Sequence, residues 1–371
     1  MFCRPQQWLP RALLALGVAV LLAACGSSGR SATGTRAAAT GGGSSGHAGA
    51  STTPAASSGG RQTLLVYSAQ GYDHNTVAAF QKATGIPTKL VDDSTGPLLA
   101  RIQAEKANPQ WGLLWVDGAT AFASLDRQNL LQRHLRIPAM NAAGRSVVPS
   151  DRSFVPTGLT MACTIIYNTR AISHPPTSWQ QLLSGRYAGK IGMNDPAVSG
   201  PTYPCVAGMM NLMGGVSGGE SYLKQLHAAG LKISQTNGDT LHLLQTGQID
   251  IGLIQSSAAI GAALATHELK VAYLPKETVL PSAIGVDAKA PAAERAEAQR
   301  FIDFVFSRAG QHQMQTGDPT GDSLFWPTAA NTRPLPALPS FTSISHQTIN
   351  PYTWGTREPS IDTWFTNNIV R

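Results

Sequence analysis

Short apolar runs alternate with helix-period segments along most of the chain, and this alternation constrains the fold more than any other feature. "TLLVYSAQ" (63–70) reads as a strand ending in a polar turn. A helical pattern follows, with Val77, Phe80 and Gln81 at helical spacing before Thr84-Gly85 stops it. "PTKLVDD" (87–93) is the next strand, residues 96–107 the next helix and "WGLLWVDG" (111–118) a third strand. The order strand–helix–strand–helix–strand requires crossover connections, hence a parallel sheet with right-handed crossovers. In such sheets ligands sit at the carboxyl ends of the strands.

The pattern continues with strands at "CTIIYNT" (163–169), "GKIGMND" (189–195), "LKISQT" (231–236) and "IDIGLIQSS" (249–257). Helices are expected near 203–213, 218–229 and 239–246. "KVAYLP", "SAIGVDA" and a long amphipathic helix over 292–307 follow. Residues 318–371, rich in Pro, Trp and Thr, are expected to wrap the surface, and no internal repeat is visible.

The amino terminus is of another kind. Two arginines precede an apolar run from Ala12 to Ala24, which suits a signal-peptide core and is short of the roughly 20 residues that span a bilayer. The run ends in Leu22-Ala23-Ala24-Cys25, which resembles a bacterial lipobox; the implied product is a chain beginning at a lipidated Cys25. Residues 26–61 are almost wholly Gly, Ser, Ala and Thr, too polar to repay the entropy of folding, and are expected to form a flexible tether. Its root-mean-square reach is roughly 30–35 Å.

About 310 residues remain from 62 onward, more naturally two lobes than one. Loss of Arg4 and Arg11 with the signal takes the formal charge from +7 to +5. No Lys/Arg cluster stands out, so the chain carries no nucleic-acid footprint. With Cys3 removed and Cys25 lipidated, Cys163 and Cys205 remain. An exported address permits a disulfide between them, and two buried free thiols are the alternative. Neither a CxxC nor a Cys/His zinc spacing occurs, and no cofactor is expected.

An enzyme finds little support. Ser221-Tyr222-Leu223-Lys224 matches SxxK, but no KTG follows and the serine falls inside a helix. No GxSxG or HExxH is present. His134, His174, His227, His242, His267, His312 and His346 are scattered without ligand spacing.

"LLVYSAQGYD", "DSTGPLLARIQAEKANPQ", "WVDGA", "IIYNTR", "PPTSWQQLLSGRYAGKIGMNDPAVSG" and "AQRFIDFVFSRAGQ", in this order over 62–335, resemble bacterial extracellular solute-binding proteins of ABC importers. The nearest group is the type 2 periplasmic-binding fold that includes ferric-iron and 2-aminoethylphosphonate binders. The resemblance implies an α/β fold of two lobes, each a mostly parallel sheet flanked by helices, joined by two crossing strands, with a solute trapped as the lobes close. It places 62–158 plus 280–371 in lobe one and 159–279 in lobe two, after a signal peptide (1–24) and the lipidated tether (25–61). The implied partners are a small-molecule solute, a permease, an ATPase and, through the lipid, a membrane. The expected address is the extracytoplasmic cell envelope, and the expected state a monomer.

Polar turns then acquire a meaning. A helix start offers free N–H groups and the positive end of the macrodipole, which favour anions. Ser94, Thr95 and Gly96 stand at such a start in lobe one, and Ser199, Gly200, Thr202 and Tyr203 at a matching start in lobe two. Ser68 adds a third polar turn, and Ser256 a hydroxyl beyond the strand of "IDIGLIQSS". Asp117 either receives a ligand ammonium or caps the helix near Thr120. Asn237 and Asp239 are rim contacts or ordinary turn residues. The iron binders of this group use a His and an acidic residue from lobe one and paired tyrosines from lobe two. Here Gly71 and Ser257-Ala258 stand at the His and tyrosine positions, so no metal site is expected: a hard trivalent ion wants several anionic oxygens. The expected cargo is therefore a small anionic or zwitterionic solute bearing phosphonate, phosphate or carboxylate. Ferric iron with an anion, a polyamine- or thiamine-type solute, or a co-receptor without cargo are the alternatives.

Overall fold

The computed structural model describes residues 62–371; the signal segment, Cys25 and the tether lie outside the described residues. The chain runs β1 (Leu64–Ser68), α1 (Asp73–Thr84), β2 (Thr88–Asp92), α2 (Thr95–Ala104), β3 (Leu113–Asp117), α3 (Ala119–Arg127), α4 (Ala142–Ser146) and β4 (Phe154–Met161). It then enters β5 (Thr164–Asn168), β6 (Ile191–Asn194), α5 (Thr202–Leu212), α6 (Val216–Ala228), β7 (Lys232–Ser234), α7 (Asn237–Gln245), β8 (Ile251–Ile254), α8 (Ser256–Ala265) and β9 (Leu269–Ala272). It returns through β10 (Glu277–Val286), α9 (Ala292–Val305), α10 (Arg308–Thr316), β11 (Trp326–Pro327), β12 (His346–Gln347), α11 (Pro351–Gly355) and α12 (Glu358–Phe365).

Two sheets result. The first has the order β11-β4-β10-β3-β1-β2, with β12 also on β10; the second has the order β7-β6-β8-β5-β9. β1 pairs parallel with β2 and β3, and β6 parallel with β7 and β8, as the alternation requires. β10 pairs antiparallel with β3 and β4, and β5 antiparallel with β8 and β9. Every residue of β3 is buried, because helices cover both faces of the sheet at its centre. On one face Trp115 meets Tyr72 at a tilt and Phe301 edge-on, ring centroids 5.3 and 5.6 Å apart, and Phe80 meets Phe301 at 5.0 Å. Gly85, at φ 67°, ends α1 in the left-handed conformation that glycine adopts without steric cost.

The chain crosses between the sheets twice, from Met161 to Thr164 and from Ala272 to Glu277. Cys163 in the first crossing is disulfide-bonded to Cys205 on α5, with Cα atoms 5.0 Å apart. Buried Glu277 ties both crossings together. Its carboxylate accepts from Thr164 Oγ1 at 2.6 Å and from Leu274 N at 2.9 Å. Burial pushes its pKa up to about 8, against the pull of these two bonds.

Two elements differ from the sequence reading. "KVAYLP" and "SAIGVDA" do lie on separate strands, β9 and β10, but β10 begins earlier than the second run, at Glu277, and passes unbroken through Pro281. Pro281 lies opposite Leu159 of β4, and on its other side the pairing with β3 begins only at Ser282, so no ladder bond on that side needs its missing N–H. The carboxyl-terminal segment does more than wrap the surface. Ile349, Trp354, Ile361, Phe365 and Ile369 are buried in the core that surrounds Tyr203, Cys205 and Leu223 of the second lobe. α11 packs on α3 of the first lobe, so this segment bridges both.

Candidate functional site

The cleft between the sheets holds a cavity of about 200 Å³. Ser94, Thr95, Asp117 and Asp322 line it from one lobe, and Ser199, Gly200, Asn237 and Gln255 from the other. Among the described residues that line it there is no Lys, Arg or His. The volume is below the roughly 300–1,000 Å³ of sites for drug-sized ligands, so the occupant is small.

The start of α2 is built for an acceptor outside the chain. Ser94 is the cap residue, in extended backbone conformation, yet its hydroxyl makes no capping bond. The Ser94 N–H is taken by Asp93 Oδ1 at 2.7 Å, which leaves the hydroxyl itself for the cavity. Opposite, Ser199 Oγ accepts from Asn194 Nδ2 at 3.2 Å, which leaves its proton to donate. Asn194 also donates to Asn237 Oδ1 at 2.7 Å, and Asn237 donates to Gln255 Oε1 at 3.3 Å. This chain of amides orients the second-lobe wall. Asn237 is thus a rim residue, whereas Asp239 closes a capping box with Thr236.

The floor is acidic. Asp117 accepts from Gln70 Nε2 at 3.2 Å, from Gln255 Nε2 at 2.9 Å and from Ser282 Oγ. Burial raises its pKa, while those three donors hold it down. It is therefore not the cap of α3, whose cap position belongs to Gly118. Asp322 accepts from Gly71 N at 2.8 Å and from Ser257 Oγ at 3.4 Å. Burial, then the charge of Asp117, pushes Asp322 up to about 7. Two carboxylates share one small space and no basic side chain neutralises them.

The lobes touch across the cleft. Gly96 N donates to Val198 O at 3.1 Å, so Gly96 serves contact between lobes rather than ligand. A Cβ on Gly96 would lie 2.1 Å from Ala197 O, and one on Gly200 would lie 2.3 Å from Thr95 Oγ1. Gln255 Nε2 binds Asp117 from the opposite lobe, and Ser257 reaches Asp322. The molecule is closed.

Four expected contacts fall elsewhere. Ser68 is wholly buried, its Oγ accepting from Gln70 N at 3.2 Å within its own turn. Thr202 and Tyr203 sit on the inner face of α5, and Tyr203 donates to Trp354 O at 2.6 Å. Ser256 is buried with its Oγ accepting from Met161 N at 2.9 Å, where it caps the end of β4. The hydroxyls of Ser68, Tyr203 and Ser256 are engaged by backbone groups. Sequence reading missed Asp322 altogether. Its only local signal was an acid in a glycine-bearing turn, "GDPTGD" (317–322), ahead of the irregular tail.

The profile of the family described as bacterial extracellular solute-binding proteins matches residues 64–316. A putative 2-aminoethylphosphonate-binding periplasmic protein of Salmonella typhimurium (strain LT2) is 23% identical over 239 residues, covering 63% of this chain and 68% of its own. The fold is similar to that of the periplasmic binding protein AfuA from Actinobacillus pleuropneumoniae, solved with fructose-6-phosphate. That match has a TM-score of 0.72 at 17% identity, over 83% of this chain and 98% of the other. Iron-bound HitA from Pseudomonas aeruginosa matches with a TM-score of 0.68 at 20% identity, over 81% of this chain and 98% of the other. With two α/β lobes, two crossing strands and a small closed cleft, the chain belongs to the bacterial extracellular solute-binding proteins, the substrate-binding components of ABC-type importers.

Proposed function

We propose that this protein captures a small zwitterionic solute between its lobes and delivers it, without chemical turnover, to a membrane permease and its ATPase. The observation that carries this reading is the polarity of one cavity. Hydroxyls from the two lobes, Ser94 and Ser199, line opposite sides of it, and the paired carboxylates Asp117 and Asp322 form the floor. The anionic end of the solute lies at the start of α2, where the Ser94 hydroxyl and the macrodipole favour it. A cationic end satisfies the two carboxylates. The similarity to a putative 2-aminoethylphosphonate-binding protein makes that compound the first to test.

Thermal shift and calorimetry with 2-aminoethylphosphonate, ethylphosphonate and putrescine separate the possibilities. The zwitterion should stabilise by RT ln(1 + [L]/Kd), about 2.7 kcal/mol at a hundredfold excess over Kd. Ser94→Ala with Ser199→Ala should remove that shift; Ser94→Ala alone should leave the unliganded melting point nearly unchanged, because its hydroxyl makes no capping bond, whereas Ser199→Ala also loses the bond from buried Asn194. Equal response to ethylphosphonate would refute the role of the carboxylates. A response to putrescine alone would favour a polyamine, a second reading that the acidic floor without basic neighbours also supports. Iron is disfavoured, since Gly71 and Ser257 stand where the group has His and Tyr and both instead hold Asp322.

Cys25 is proposed as the site of lipid attachment, which would hold the domain at the outer face of a membrane; it lies outside the described residues. Cys25→Ser should leave unprocessed precursor without acyl label, and unchanged labelling would exclude it.

A further inference from the structure

A second cluster of ligand-type side chains lies away from the solute cavity, where the carboxyl ends of β1 and β2 meet the start of α1. We propose that Asp73, His74 and Asp92 form a binding site for one zinc-class divalent cation. One donor atom from each of the three lies within 4.8 Å of the others. His74 Nε2 and Asp92 Oδ2 stand 3.3 Å apart. Two donors held at 2.0–2.1 Å by one tetrahedral ion are about 3.3 Å apart, so this pair already has the spacing of a metal edge.

Asp73 supplies the independent observation. It is 1% exposed, and its Oδ2 has no hydrogen-bond partner. The carboxylate interacts with Ser68 and with the His74 N–H, but Oδ2 takes part in neither bond. A buried carboxylate oxygen left without a donor costs free energy that a bound cation removes. His74 and Asp92 side chains are 74% and 52% exposed, so the site opens to solvent and the ion has a path in. The two outer ligands can close by rotation onto the fixed inner one.

The ligand set selects the ion. One imidazole and two carboxylates suit zinc and its first-row neighbours, with water in the fourth position. Calcium and magnesium prefer six or more oxygens, which this corner does not offer. The start of α1 and the end of β2 are joined here, so the ion would pin α1 to β2. None of the three side chains lines the solute cavity, so the proposal stands apart from the identity of the solute.

Zinc titration of the full chain by calorimetry, with cobalt absorption as a geometric probe, tests this. Wild type should bind one equivalent of Zn²⁺ that is lost in His74→Ala and in Asp92→Asn, each weakening that site by at least the roughly tenfold that loss of an outer-shell group costs. Cobalt should give the intense visible bands of a four-coordinate site in wild type and not in either variant. Both substitutions are on exposed side chains and should leave the melting point without metal unchanged. No zinc uptake by wild type, or the same number of equivalents and affinity in all three proteins, would overturn the proposal.

Discussion

Gln255 of the second lobe donates its side-chain amide to Asp117 of the first at 2.9 Å, across the cleft and beneath the solute cavity. Because Gln255 also donates to Thr160 on the crossing strand β4 at 3.2 Å, its amide group joins both lobes and the hinge. Bonds to a charged acceptor contribute roughly 1.5–3 kcal/mol. Gln255→Ala should therefore weaken solute binding by roughly 10- to 100-fold. The radius of gyration with solute should move toward an open form, as measured by calorimetry beside solution scattering.

Gly96 tests closure more sharply. Gly96 is the second residue of α2 and precedes Pro97, where a side chain is disfavoured in helical backbone, so alanine brings no gain in unliganded stability. The same methyl would sit 2.1 Å from Ala197 O in the closed form. Gly96→Ala should thus bind solute at least tenfold more weakly, a loss larger than any change in its unliganded stability. A variant that binds normally would show that the contact between Gly96 and Val198 is incidental.

Asp322 makes affinity depend on pH. Its pKa stands near 7 because burial and Asp117 oppose its ionisation. Below that pH it is protonated and cannot attract a ligand ammonium. Affinity for an aminophosphonate should fall as pH drops from 8 to 6, and Asp322→Asn should be weak and flat over that range by calorimetry.

Glu277 makes stability depend on pH with the opposite sense to a salt-bridged carboxylate. Its pKa rises from 4.5 to about 8 on folding, so between those values the native state binds more protons than the unfolded chain. Stability then falls as pH rises, by up to about 1.4 kcal/mol per pH unit, with the full contribution present below 4.5 and lost through 8. Urea unfolding at pH 6 and pH 9 should show the loss. Glu277→Gln, which keeps the acceptor for Thr164, should flatten it.

The bridge between Cys163 and Cys205 closes a span of 42 residues. On the chain-entropy argument it contributes about 4 kcal/mol. Denatured, non-reduced protein should show no free thiol from either residue, and Cys163→Ala with Cys205→Ala should unfold at markedly lower urea.

The alternation of "TLLVYSAQ", "PTKLVDD" and "WGLLWVDG" with helical segments determined the parallel sheets, because hydrophobic period is a property of the local backbone. The same local logic located α1's end at Gly85 and the helix starts at Ser94 and near Ser199. Which hydroxyls face the cavity was decided only in three dimensions. Side chains alternate along a strand and turn by about 100° per helical residue, so Ser94 reaches the cleft while Ser68, Thr202 and Tyr203 turn into the protein. Asp322 joins Asp117 across 205 positions of sequence, and no local pattern carries such a distance. Trp354 and Phe365 likewise entered the second lobe's core because that lobe left an apolar face for the tail to cover, which composition near the terminus does not disclose.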